Sequence, residues 1–215
     1  MTFSIVARHG DVHGVATATR TLAVGAVVPA AAPGVGALAT QARTNRAFRS
    51  RGLALLREGL APAEVLDVLE REDEGYAMRQ VALVDATGRT AVWTGPECTP
   101  WAGGWGRPDV AVAGNLLTGR EVLEAMEAAF AAAADEPLPR RLVAALAAGD
   151  AAGGDLRGRQ SAALLVVAGE PEPEWPPRTV VDLRVDDHPD PVGELGRLLT
   201  LAEAEDAAVP APPAP

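Results

Sequence analysis

The sequence predicts an α+β fold in which two helix pairs cover stacked, largely antiparallel sheets, a four-layer αββα arrangement. Three observations carry this. Strand-like and helix-like segments come in runs and not in strict βαβ alternation, which favours antiparallel sheets. Turn chemistry joins neighbouring strand segments into hairpins. A length of 215 residues suits one domain better than two, at roughly 100–200 residues per domain.

Residues 3–8 alternate well enough for a strand, and His9-Gly10-Asp11 supplies a turn before a second strand over 12–20. Residues 24–28 are apolar but broken by Gly25 and stopped by Pro29, so they read as a short strand or a buried loop. A strand over 35–42 follows Pro33-Gly34. Helical periodicity then takes over: Phe48, Leu53, Leu55 and Leu56 share a stripe that Gly59 stops. Pro62 takes a first-turn position, with Val65, Leu66 and Leu69 at helical spacing behind it. Residues 80–85 and 89–94, joined by Ala86-Thr87-Gly88, read as a hairpin, and 109–113 as another short strand. The clearest helix covers 121–134, with Val122, Leu123, Met126, Ala129 and Phe130 on one face. A second covers 137–148 and ends at Gly149. Residues 161–168 lack polar alternation and read as a buried strand, 179–185 as a strand and 192–204 as a last helix. One domain thus spans 1–206, and the Ala/Pro-rich residues 207–215 read as a disordered tail.

Composition sets the limits on partners. Apolar residues at 48% and charged residues at 22% let a chain of this length bury a core without staples. All 19 basic residues are arginine, and the net charge of −10 disfavours nucleic acid, whose phosphates need a basic surface. Much of that excess is local, since residues 170–215 hold 11 acidic and 3 basic side chains. No apolar run reaches the ~20 residues of a membrane span. The first residues lack the basic flank and long apolar stretch of a signal peptide. A cytoplasmic protein without membrane or nucleic-acid partners is expected. Cys98 is the single cysteine, so neither an internal disulfide nor a C-x-x-C zinc site can form.

Several familiar catalytic motifs are absent: a G-x-S-x-G elbow, a Walker loop, H-E-x-x-H, and a G-x-G-x-x-G after a strand. His9 and His13 fall at the first turn and are expected to be solvated. His188 with Asp186, Asp187 and Asp190 has the ligand types of a metal site, but acids clustered ahead of a helix more often cap it. No metal or cofactor is expected. Thr2 is the informative residue. Removal of Met1 before this small residue would leave a threonine whose α-amine, titrating near ~7.7–8, can take the proton of its own hydroxyl. One residue would then supply both nucleophile and base.

Other residues could complete such a site. Asn115 follows a short strand, where its amide could donate to a developing oxyanion or merely shape a turn. Arg157 and Arg159 enter a buried strand, where an arginine can orient a carboxylate or close an ion pair with Asp182, Asp186 or Asp187. Trp101 and Trp105 flank Gly103-Gly104 in a glycine-rich loop that could line a small-molecule pocket or pack over a sheet edge. Ser4 and Cys98 are the alternative nucleophiles.

Six stretches together resemble one family. They are Met1-Thr2-Phe3-Ser4-Ile5-Val6-Ala7-Arg8; Val24-Gly25-Ala26-Val27-Val28-Pro29; Gly34-Val35-Gly36-Ala37-Leu38-Ala39-Thr40-Gln41; Gly114-Asn115-Leu116-Leu117; Gly153-Gly154-Asp155-Leu156-Arg157-Gly158-Arg159-Gln160-Ser161-Ala162-Ala163; and Arg184-Val185-Asp186-Asp187-His188-Pro189-Asp190-Pro191. In this order they resemble the domain-of-unknown-function 1028 family, placed among Ntn-hydrolase-like (N-terminal nucleophile) proteins, over about residues 2–200. The resemblance implies the αββα sandwich and an N-terminal Thr, Ser or Cys that hydrolyses amides, with Thr2 at the matching position. The chain departs from the usual pattern in its short His9-Gly10-Asp11 turn, in Ala30 where an aromatic is common, and in having no lysine to tune the threonine.

The leading expectation is an N-terminal-threonine amidohydrolase acting on a small or peptide-like amide. Thr2 would attack, Asn115 would hold the oxyanion, and Arg159 or Arg20 would orient a substrate carboxylate beside Trp101 and Trp105. The rival is a noncatalytic ligand-binding or assembly protein that keeps the same fold. A homodimer is a reasonable expectation for a fold with an exposed sheet edge.

Overall fold

The computed structural model describes residues 2–170 and 179–208. Ten strands and five helices follow one another as β1 (Thr2–His9), β2 (Val12–Thr19), β3 (Pro29–Ala32), β4 (Gly36–Ala42), α1 (Ala47–Arg57), α2 (Pro62–Glu72), β5 (Arg79–Asp85), β6 (Thr90–Thr94), β7 (Gly103–Arg107), β8 (Val110–Asn115), α3 (Glu121–Ala132), α4 (Leu138–Ala151), β9 (Ser161–Ala168), β10 (Thr179–Val185) and α5 (Pro191–Ala208). A six-stranded sheet has the order β10-β9-β2-β1-β8-β7, and a four-stranded sheet the order β3-β4-β5-β6. Every pairing is antiparallel, so the chain has a mixed α+β fold.

Strand alternation divides the core into three clusters. Phe3, Ile5 and Ala7 of β1 pack with Val122, Met126, Leu142 and Leu195 from the helices that cover the six-stranded sheet. Val6 and Val15 point the other way and meet Ala37, Ala39, Ala82 and Val84 of the four-stranded sheet. Leu38, Val81 and Leu83 face Phe48, Leu55, Val65 and Leu69 of α1 and α2. Among the described residues no helix is long and apolar enough to cross a membrane.

Several local expectations give way to packing. Residues 24–28 are neither strand nor plain loop: a 3₁₀ turn at Val24–Ala26 leads into β3. Three consecutive alanines carry little strand propensity, and Pro29 is tolerated there because β3 is a sheet edge and Pro29 its first residue. The glycine-rich stretch read as a loop contains β7. Gly104 is needed there because a Cβ would lie 2.7 Å from both the Val112 carbonyl and Val92 Cγ1, so the two sheets approach over bare backbone. Gly149 does not stop α4; it sits inside the helix and lets Met126 of α3 come close, while Gly153 and Gly154, both at positive φ, end the segment. Helix α5 runs through Ala208 and absorbs the first two residues of the expected tail; residues 209–215 lie outside the described residues.

His13 is the largest departure. It is 1% exposed, not solvated, because β2 turns its odd-numbered residues toward the opposing sheet. Neither ring nitrogen has a hydrogen-bond partner among the described residues. Burial pushes its pKa below the ordinary value, and the charge of Arg8 acts in the same direction; Asp11 and Asp85 oppose the shift. The unfolded chain takes up this proton near ~6.5, whereas the folded chain resists it. The stabilisation is therefore complete above about pH 6.5 and declines below it, by up to ~1.4 kcal/mol per pH unit. A thermal-melting profile should show this loss as the pH falls below about 6.5, and His13→Leu should remove that component. A pH profile identical in the two proteins would contradict it.

Candidate functional site

The space between the sheets is apolar around Val6 and Val15 and polar where β1 begins. The alternation that aims Val6 at the opposing sheet also aims Ser4 and Thr2 there, and Thr17 and Thr19 follow Val15 in the same way. Thr2 pairs with Asn115 in the β1–β8 ladder. From the opposing sheet, Gln41 continues the face of Ala37 and Ala39, and Gln80 that of Ala82 and Val84. All seven polar side chains are buried.

Buried amides must be satisfied, and here backbone carbonyls fix which way each one points. Gln80 Nε2 donates to the carbonyls of Gly114 (2.8 Å) and Gly103 (3.0 Å), with Thr94 Oγ1 at 2.9 Å. Its Oε1 must then face inward, where it accepts from Gln41 Nε2 and Asn115 Nδ2, each at 2.8 Å. Gln41 Nε2 also reaches the carbonyls of Ala113 and Thr2, and its Oε1 accepts from Ser4 Oγ at 2.5 Å. Ser4 Oγ exchanges a further hydrogen bond with Thr17 Oγ1 at 2.8 Å. Thr2 Oγ1 lies 3.3 Å from Thr19 Oγ1. Asn115 is left with one Nδ2 hydrogen beyond the Gln80 bond, and its buried Oδ1 has no partner among the described residues.

Beside Asn115 opens a cleft of about 130 Å³ lined by Ala42, Arg43, Met78, Glu97, Cys98 and Thr99. Its lining residue Ala42 is held at positive φ (+70°), and so is Leu116, the residue after Asn115 (+51°). Such conformations cost of order 1–3 kcal/mol each and cluster at functional sites. Cys98 is a poor nucleophile here, since burial raises its thiol pKa and its Sγ rests 3.4 Å from the Arg79 carbonyl. Ser4 is fully buried and engaged on both sides.

The remaining residues singled out from the sequence are spread around this end. Arg20 directly follows Thr19; its backbone N–H donates to Asp155 Oδ2 and its Nη1 to Gln160 Oε1 at 2.8 Å. Arg159 is ion-paired to Asp150 of α4 at 2.8 Å, and Arg157 to Asp155, so neither takes the Asp182, Asp186 or Asp187 partners considered above. Asp186 is bound to Arg184, Asp187 accepts from Gln160, and Asp190 accepts from the Gly193 N–H in the first turn of α5. The Trp101 carbonyl accepts from the Leu117 N–H, two residues past Asn115, while its ring packs on the helix side of the six-stranded sheet. Trp105 lies on that helix side too, donating Nε1–H to Glu127 under the Arg120 guanidinium, away from the face that carries Thr2.

Gln41 and Gln80 were not singled out from the sequence. The available signal was parity: each is a glutamine at a position where its strand otherwise carries Ala or Val toward the core.

The sequence model of a family described as of unknown function (DUF1028) matches residues 2–195. A crystal structure of a Silicibacter pomeroyi protein from that family is similar at 36% identity, with a TM-score of 0.83 over 94% of this chain and 85% of that one. A search of curated protein sequences finds no match.

Proposed function

Because the chain belongs to the DUF1028 family of unknown function, we propose an activity from its geometry: hydrolysis of a small or peptide-like amide by an N-terminal threonine. The observation that carries this is the pairing of Thr2 with Asn115, a buried amide with hydrogen-bonding capacity to spare at the polar end of the inter-sheet space. The packing of α1 and α2 on one sheet and α3–α5 on the other supports reading the fold as the αββα sandwich of N-terminal-nucleophile hydrolases. That step is an analogy of fold.

The mechanism begins with removal of Met1, which frees the Thr2 amine. Thr2 Oγ1 attacks the amide carbon, and its proton passes to the α-amine. The free Nδ2–H of Asn115 and a backbone N–H steady the oxyanion. The C–N bond breaks as the α-ammonium returns the proton to the leaving amine, leaving an ester on Thr2. Water, deprotonated by the same amine, cleaves the ester to release the acid and restore the hydroxyl. Gln80 positions Asn115, and Gln41 holds the Thr2 carbonyl. Labelling by a threonine-reactive β-lactone tests whether Thr2 is the activated residue.

A second reading, a noncatalytic binding protein on the same fold, is favoured by the burial of Thr2 at 4% exposure. The labelling experiment separates the two readings.

A further inference from the structure

The cleft beside Asn115 carries one cation and one anion that the fold leaves unused. Arg43 and Glu97 are both exposed and both line it. Neither belongs to an ion pair among the described residues, although eleven other arginines do. The Arg43 guanidinium lies against the thioether of Met78, 4.0 Å from its sulfur, which keeps it at the cleft wall. The neighbouring Arg79 supplies no competing charge, because Asp73 pairs with it at 2.8 Å. The same cleft reaches Asn115, 1% exposed, whose Oδ1 lacks a donor among the described residues and whose amide keeps a hydrogen to give.

A cation, an amide edge and an anion in one cleft complement a carboxylate, an amide bond and an ammonium group in one small molecule. We propose that this cleft binds an unblocked dipeptide-like zwitterion, with the carboxylate on Arg43, the ammonium on Glu97 and the amide N–H on Asn115 Oδ1. A volume of about 130 Å³ is roughly four waters' worth, so the side chains of the ligand are small or point to solvent. This names the substrate class of the proposed amidohydrolase and rests on that reading only for the fate of the ligand, not for its binding.

The test therefore reads binding, in the full-length Thr2→Ala protein, where hydrolysis cannot consume the probe. Glycylglycine, N-acetylglycylglycine and glycylglycinamide are titrated and followed by NMR shift changes. A charge-assisted contact of this kind is worth about 10–100-fold, so each block should weaken binding by that factor. Arg43→Gln should erase the preference for glycylglycine over its amide and leave the preference over the acetylated form; Glu97→Gln should do the reverse. Both positions are exposed, so neither variant puts the fold at risk. Equal binding of the three probes, absence of saturable binding, or preferences unmoved by either variant overturns the proposal, whatever β-lactone labelling shows of Thr2. Selective binding without hydrolysis in the unsubstituted protein would instead sustain the zwitterion site and sink the amidohydrolase reading.

Discussion

Thr2→Ala is expected to lower amide hydrolysis by about 10⁴-fold or more while the protein stays folded. The size follows from losing the only atom that forms the covalent intermediate, since deleting a nucleophile alone removes about as much rate as deleting the whole catalytic unit. The fold should tolerate the change, because among the described residues the Thr2 hydroxyl makes a single long contact, 3.3 Å to Thr19, worth roughly 1 kcal/mol at most. Thr2→Ser restores hydroxyl and amine together and should recover most of the rate. The measurement is kcat/KM on a hydrolysed dipeptide alongside a melting curve for each variant. Full activity in Thr2→Ala removes the mechanism.

Replacing Gln80 by leucine should be the most damaging change to stability at the site, at roughly 3–5 kcal/mol. The leucine fills a similar space but leaves the Gly103 and Gly114 carbonyls and part of Asn115 short of partners in the interior, while Gln41 Nε2 keeps only its longer contacts to the Ala113 and Thr2 carbonyls. Each such orphan costs about 1–3 kcal/mol, and relaxation recovers some of the total. Gln80→Glu should also be costly, because a carboxylate oxygen would face the two carbonyls that now accept from Nε2. Urea unfolding measures both. A loss below about 1 kcal/mol for Gln80→Leu would mean that the amide chain is not the brace described above.

Much of the architecture was legible in the sequence because apolar periodicity is a local signal. The alternation of β1, the stripe of α3 and the unbroken apolar run of β9 all place their elements correctly. The failures share a cause, which is context that no short window contains. β7 is a strand because β8 pairs with it and because a side chain at Gly104 would not fit between the sheets. Gly149 is a packing glycine only once Met126 is opposite it. His13 follows a turn in sequence, yet the pleat sends it inward under the four-stranded sheet. At the site, Thr2 and the Gly114-Asn115 that ends β8 could be singled out from the sequence, but their pairing depends on strand order. Gln41 and Gln80 looked like ordinary polar residues until strand parity turned them inward.

The central claim, that Thr2 is an activated N-terminal nucleophile, is tested most directly by intact mass before and after a threonine-reactive β-lactone, with peptide mapping of the adduct. The account predicts a chain that lacks Met1 and carries one adduct on Thr2, absent from Thr2→Ala. An adduct on Ser4 or Cys98, or an unlabelled chain that retains Met1, would contradict it.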